Sequence, residues 1–375
     1  MSDKIRVLVV DDSAFMRVAV ARTISADPRF EVVGQAKDGQ DGVDKTVELS
    51  PDVITMDFNM PRLDGAAAVR EILRLKPTPV VMLSAHTYEG AKETVEALSA
   101  GAVDFVAKPS GEVSTDLSGI SAELLKKLAS ARRAKPQPPS KENPAALRRS
   151  TRDATIPIDI QPRPSSSAGS SPSSRSSRSS GERISFASAM LDPAVIIAIS
   201  TGGPSALEQV IPHLPGHFRR GVLVVQHMPG QFTRALAERL DAMSAVKVRE
   251  ARPQDRIAAG VVMIAPGDKH VVFERTGMIK LTESPPVNGC RPSADVTLQS
   301  AAPIYGARLT TVVMTGMGRD GALGSSSAKA AGGKVFAQDK ETSVVYGMPK
   351  AVVDLGLADE VLPLSRIAAR LSRLR

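Results

Sequence analysis

Five polar side chains stand where short apolar runs end: Asp11 and Asp12 after residues 5–10, Asp57 closing 52–57, Ser84 closing 79–84, and Lys108 following 102–107. Carboxylates crowded at one place repel each other unless a hard cation lies among them, and an all-oxygen donor set that retains waters suits Mg²⁺. Asp57 would then be a nucleophile toward a phosphoryl group, with Mg²⁺ held through Asp12 and Asp57 and offsetting charge on the transferring oxygens. Lys108 would add a second positive charge, and Ser84 a hydrogen bond to the new phosphate. The Lys108-Pro109 step suits a cis peptide that would aim the lysine. Taken singly, each residue also reads as a loop-end acid or a cap, Asp11 and Asp12 as helix caps in particular. Their shared place at strand ends is what points to a site.

A second set lies in the C-terminal half. The apolar run 194–199 enters Ser200-Thr201-Gly202-Gly203-Pro204. Two glycines and a helix-starting proline put Ser200 in a sharp, uncovered turn beside a helix N-terminus. A serine so exposed suits nucleophilic attack if a general base is near. Of the five histidines, His86 belongs to the N-terminal half, and His213 and His217 sit in a polar, proline-containing loop expected to face solvent. His227 ends the strand 222–226 at the same sheet edge as Ser200; His270, just after Gly267-Asp268, is a second, weaker candidate. The orienting carboxylate is expected after the strand 309–315. Asp320 stands there in a glycine-rich turn, and also reads as a helix cap. The same turn places backbone N–H groups near Met317 and Gly318 where an oxyanion could be held. The order Ser200, His227, Asp320 differs from that of the α/β-hydrolases and no G-x-S-x-G is present, but geometry rather than order defines a triad. Spacing alone leaves open a glycine-rich loop at 200–205 that cradles a phosphorylated ligand without catalysis, though no G-x-G-x-x-G or Walker lysine accompanies it.

Positioning such residues takes two α/β units. Apolar strands at 5–10, 31–35, 52–57, 79–84 and 102–107 alternate with helical patterns such as 66–75 and 91–100, which predicts one compact domain over 1–130 with a parallel sheet covered on both faces. Patterning stops from about 134 to 184, where prolines including Pro136, Pro138, Pro139, Pro144, Pro157, Pro162 and Pro164 break regular structure and eleven of the twenty residues of 161–180 are Ser. Such a segment cannot bury enough apolar surface to offset its ordering entropy, so 131–190 is expected to be a disordered linker. Strands at 194–200, 222–226, 261–265, 270–273, 278–281 and 309–315 and helices at 204–211, 231–242, 321–331 and 364–374 predict a second, doubly wound, mostly parallel α/β domain over 191–375.

Bulk properties narrow the function classes. The net charge is +8, but 131–190 holds eleven Lys/Arg against four Asp/Glu, so nearly all the excess lies in the linker and no folded basic face is implied. With aromatics at 3%, no Trp and no C-terminal helix-turn-helix pattern, nucleic acid is not an expected partner. A single cysteine, Cys290, excludes an intrachain disulfide framework. Residues 1–4 are polar and no apolar run approaches the ~18 residues of a membrane span, so the expected location is the cytoplasm without membrane insertion.

Two resemblances sharpen this reading. DDS at 11–13, the strand ending at Asp57 with MPRLDG at 60–65, LSA at 83–85 and KP at 108–109 resemble a response-regulator receiver domain. That implies a five-stranded, flavodoxin-like fold, phosphorylation at Asp57, and a switch in which Ser84 and an aromatic, here Phe105, rearrange. STGGP at 200–204, QHMP at 226–229, FT at 232–233, RPSAD at 291–295, TGMGRDG at 315–321 and AQDKETSVVYGMP at 337–349 resemble the catalytic domain of CheB-type protein-glutamate methylesterases. That resemblance implies a triad of Ser200, His227 and Asp320, with the oxyanion donor at the Met317 backbone and Thr201 beside the nucleophile. It further implies demethylation of γ-glutamyl methyl esters on chemoreceptor cytoplasmic domains, with glutamine deamidation by the same chemistry and no cofactor for the esterase. A chemotaxis histidine kinase would be the phosphodonor, and the unphosphorylated receiver would cover the Ser200 edge. The long Ser/Arg-rich linker departs from the family pattern.

Overall fold

The structure, a computed structural model, describes residues 4–85, 87–108, 118–136 and 191–374. The expected disordered linker falls on 137–190 for the most part and, like Pro109 and His86, lies outside the described residues.

The N-terminal sheet forms from β1 (Ile5–Val10), β2 (Phe30–Ala36), β3 (Val53–Asp57), β4 (Val80–Ser84) and β5 (Asp104–Ala107). It runs in the order β2-β1-β3-β4-β5, with every pairing parallel. Strands β3 and β4 are buried along their whole length, as a sheet covered by helices on both faces requires. Those helices are α1 (Ala14–Ser25), α2 (Gly39–Leu49), α3 (Gly65–Leu75), α4 (Tyr88–Ser99) and α5 (Ser118–Ala131). The first four start on side-chain caps, Ser13, Asp38, Asp64 and Thr87, each accepting from a backbone N–H of the first turn, which satisfies donors the helix itself cannot. Ser13 takes the cap of α1, so the capping role considered for Asp11 and Asp12 is filled by their neighbour.

The C-terminal part is larger than the sequence pattern suggests. Its seven-stranded sheet comprises β6 (Ala194–Ile199), β7 (Gly221–Gln226), β8 (Lys247–Glu250), β9 (Val261–Ile264), β12 (Leu309–Val313), β13 (Lys334–Gln338) and β14 (Glu360–Leu362), in the order β14-β13-β12-β6-β7-β9-β8. All its pairings are parallel. The antiparallel element is a separate hairpin of β10 (His270–Phe273) and β11 (Ile279–Thr282). Helices α6 (Gly203–Val210), α7 (Gly230–Met243), α8 (Ala294–Tyr305), α9 (Ala322–Ala330), α10 (Met348–Asp354) and α11 (Leu364–Ser372) cover the sheet. Strands β6 and β7 are central and buried throughout, so their C-terminal ends share one protected edge.

Core residues of the two sheets run together. Val95, Leu98 and Phe105 of the first belong to the same buried cluster as Leu207, Phe232 and Leu236 of the second. Among the described residues no helix is long and apolar enough to cross a membrane.

Candidate active site

At the edge of the first sheet the five expected residues divide. The Lys108 ammonium lies 2.6 Å from Asp57 Oδ1 and 3.1 Å from Asp11 Oδ2. Oxygens of Asp11, Asp12 and Asp57 lie within 4.8 Å of one another, and Asp11 also accepts from the Ser13 N–H at 2.9 Å. An all-carboxylate set of this size fits a hard divalent cation. Burial raises the Asp57 carboxyl above its ordinary range against the pull of Lys108. Lys108 itself is held above its usual value, because Asp57 and Asp11 outweigh the effect of burial. Ser84 is the exception. Its hydroxyl donates to the Gly90 carbonyl at 3.0 Å and meets the Thr94 hydroxyl, so it is engaged with the start of α4 rather than with the acids.

The second edge brings residues from four loops together. Ser200 directly follows β6, and its N–H is held by Thr315 O at 3.0 Å. Gly202 follows at φ 77°, and a Cβ there would fall 2.6 Å from Val344, so both backbone angle and space require glycine. His227 ends β7. Its Nε2 lies 2.8 Å from Asp320 Oδ2. Its Nδ1 lies 3.5 Å from Cys290 Sγ, and among the described residues the Ser200 hydroxyl makes no hydrogen bond.

Asp320 meets His227 as expected of an orienter, but the cap reading of the helix it opens does not hold. It does not cap α9, whose N-cap is Gly321 with no side-chain bond. Instead it closes the start of α8, accepting from Ala294 N at 2.6 Å, Asp295 N at 3.1 Å and Ser293 Oγ at 2.7 Å, with Asn288 Nδ2 at 3.2 Å. Burial would push this carboxyl up, but the bond from His227 and those helix-terminal donors outweigh it and hold Asp320 far below the usual range. Conversely, burial would lower His227, yet the bonds to Asp320 and then Cys290 raise it to about 9. In this arrangement Asp320 and Cys290 thus favour the protonated imidazole, paired with the Asp320 carboxylate.

The other histidines are accounted for. His270 is fully buried. Its Nε2 lies 3.2 Å from Pro285 O and its Nδ1 accepts from Ser293 N at 3.2 Å, so it braces the loop that carries Asp320's donors instead of facing Ser200. His213 and His217 are exposed, as expected. In the glycine-rich turn, neither the Met317 nor the Gly318 N–H makes a backbone hydrogen bond among the described residues. Both residues line a cavity of about 950 Å³, together with Tyr346 and with Leu125 and Ala129 of α5.

The N-terminal sheet reaches this edge directly. Gly202 N donates to Val103 O at 3.0 Å, and the Thr201 hydroxyl donates to Asp104 Oδ2 at 2.6 Å. The Phe105 ring stacks at 4.3 Å, tilted 32°, on Phe232 of α7, and Ser99 Oγ donates to the buried Glu208 at 2.5 Å. Strand β5 of the N-terminal sheet therefore lies against the residue next to Ser200.

Sequence reasoning missed Cys290, Asn288 and Ser293, all of which touch His227 or Asp320. They sit on a loop closed by reciprocal Val287–Cys290 backbone bonds. The RPSAD motif was the available signal, but nothing in it says that α8 aims its N-terminus at an aspartate.

Comparison with known proteins finds one family for each half of the chain. The response regulator receiver domain family model matches residues 7–115, and the CheB methylesterase model matches 195–371. A protein-glutamate methylesterase/protein-glutamine glutaminase of Symbiobacterium thermophilum is 47% identical over 100% of this chain and 99% of its own. One of Thermotoga maritima is 42% identical over 100% of both. The solved catalytic domain of Thermotoga maritima CheB methylesterase, 45% identical, covers 49% of this chain and 99% of its own length at a TM-score of 0.48. With receiver motifs at one sheet edge, a histidine–aspartate pair beside Ser200 at the other, and full-length relatives at this identity, the chain belongs to the protein-glutamate methylesterase/protein-glutamine glutaminase family.

Proposed function

We propose that this chain hydrolyses γ-glutamyl methyl esters on the cytoplasmic domains of chemoreceptors, and deamidates receptor glutamines by the same route, under control of phosphorylation at Asp57. The division of labour is 1–130 as receiver, 131–190 as tether and 191–375 as catalytic domain, working in the cytoplasm. The observation that carries the reading is the His227–Asp320 contact of 2.8 Å at the sheet edge where Ser200 turns out of β6.

The Ser200 hydroxyl attacks the γ-carbonyl carbon. Asp320 occupies Nε2 of His227, so in the neutral imidazole, freed from Cys290, Nδ1 is the nitrogen that takes the serine proton and returns it to the leaving methanol, or to ammonia from glutamine. The N–H of Met317 receives the oxyanion, with Thr201 beside the nucleophile. Water, deprotonated by His227, then cleaves the ester on Ser200 and frees the glutamate.

In the receiver, an Asp57 oxygen takes the phosphoryl group from a histidine kinase. Asp12 and Asp57, with Asp11 close by, would hold Mg²⁺, which would supply charge to offset that of the phosphoryl oxygens. Lys108, now bound to Asp57 and Asp11, is placed to pair with the phosphate, and Ser84 must leave Gly90 and Thr94 to reach it. That movement is adjacent to β5, which carries Asp104 and Phe105. The contacts of Val103, Asp104 and Phe105 around Thr201 support closure of the site by the unphosphorylated receiver, as does the arrangement of Nδ1 toward Cys290 while Ser200 is unengaged. The test is methanol release from methylated receptor, with and without a small phosphodonor and Mg²⁺. Release that rises with phosphodonor in the wild type but not in Asp57→Ala supports the reading. Equal release in both would remove the regulatory role.

A further inference from the structure

We propose that Gln226 is the positioning residue that fixes nucleophile and base relative to each other, an inference that rests on Ser200 and His227 having those roles. Gln226 closes β7 immediately before His227, and its side chain is 2% exposed. Its Nε2 donates to the carbonyl of Ser200 at 3.1 Å and lies 3.5 Å from the carbonyl of His227. One amide group thus spans the two loop ends, on adjacent strands, whose side chains must exchange a proton. Among the described residues no other side chain bonds both of those carbonyls.

The other half of the amide explains why this is more than core filling. Oε1 accepts no hydrogen bond among the described protein groups, and a buried acceptor left so costs about 1–3 kcal/mol. An apolar residue of similar length would avoid that cost, so stability alone does not select glutamine here. Reversing the amide would turn Oε1 toward two carbonyl oxygens, which repel it. Gly203 completes the fit: a Cβ at that position would fall 1.9 Å from Oε1. The second glycine of the Ser200 turn is therefore needed for space, because it lets the amide lie under the nucleophile. A second buried glutamine braces the same layer: Gln338 Oε1 accepts from Thr315 N at 2.8 Å, and Thr315 O in turn holds the Ser200 N–H. Gln226 touches no substrate atom; it acts through the backbone of Ser200 and His227.

The experiment measures methanol release by the full chain, phosphodonor present, from a peptide carrying a glutamate γ-methyl ester. Gln226→Met should unfold at no lower denaturant concentration than wild type yet lose kcat at least tenfold with KM little changed. Gln226→Glu gives the readout that a merely structural role would not move. Its protonated carboxyl can donate one bond to the Ser200 carbonyl, whereas its carboxylate is repelled by it. The ratio of variant to wild-type kcat, in which the titration of His227 cancels, should therefore fall as pH rises through the new carboxyl's pKa. Gly203→Ala should lower kcat as well, and adding it to Gln226→Met should cost little more, since both remove the same strut. A Gln226→Glu ratio independent of pH, or a Gln226→Met enzyme with wild-type kcat, would overturn the proposal. Ser200→Ala is run alongside: if it keeps its activity, the reading beneath falls, whereas if it is dead while the Gln226 variants are fully active, only the strut is wrong.

Discussion

Removing the imidazole of His227 should erase one specific segment of the pH dependence of stability. His227 is raised from 6.5 to about 9 in the folded protein. A group raised on folding stabilises fully below its unfolded pKa, and that stabilisation disappears as pH climbs through the folded value. A shift of this size corresponds to about 3 kcal/mol at low pH, about 2–3 kcal/mol at pH 7, and almost nothing by pH 9.5. The lowering of Asp320 comes largely from the same contact and is counted once. Burial supports a figure of this order, because the His227 side chain is only 10% exposed and Asp320 only 2%. The perturbation is His227→Gln, which leaves the five-donor environment of Asp320 otherwise in place. The assay is urea unfolding from pH 7 to 9.5 followed by circular dichroism, the chain having no Trp. Wild type should lose about 2–3 kcal/mol more than the variant across that window. Parallel curves would show that the imidazolium–carboxylate pair does not form.

Asp57→Ala should take up no phosphoryl group from a small phosphodonor with Mg²⁺; radiolabel retained in that protein would move the acceptor elsewhere. Ser99→Ala deletes the bond to Glu208, worth about 1 kcal/mol, and should raise methanol release without phosphodonor by roughly fivefold if receiver docking limits access; an unchanged basal rate would exclude that contact from the closure. Ser200→Ala, His227→Gln and Asp320→Asn should each lower turnover with far from additive effects, Asp320→Asn being mildest; full activity in Asp320→Asn would reduce Asp320 to the cap of α8.

Much of this was legible in the sequence because catalytic residues of parallel sheets stand at strand ends, and strands such as β1, β3, β6 and β7 are unbroken apolar runs. The residues flanking them, Asp11, Asp57, Ser200 and His227, could be placed before any geometry was known. Other elements escaped for identifiable reasons. Helix α8 contains Pro303, which interrupts a helical reading, and β14 is only three residues long. Strand β8 begins and ends with charged residues, so it does not read as apolar. The role of Asp320 was half legible: its type and turn suggested an orienter or a cap, and only the tertiary fold shows that it binds His227 while closing a helix 25 residues earlier in the chain. Ser84 was placed at the right edge, but its rotamer toward Gly90 depends on α4 packing, which spacing does not encode. Cys290 was read only for what one cysteine excludes, because nothing local links it to a histidine 63 residues away.

The most direct test of the account is to trap the covalent intermediate. The full chain, with phosphodonor and Mg²⁺, is mixed with a γ-glutamyl methyl ester peptide, quenched in acid within one turnover, and digested for mass spectrometry. The account predicts the peptide's glutamyl group esterified to Ser200, formed in step with methanol, more abundant with phosphodonor than without, and absent from Ser200→Ala. Methanol released at the wild-type rate by Ser200→Ala, or an acyl group found on Cys290 or another residue in the wild type, would contradict it.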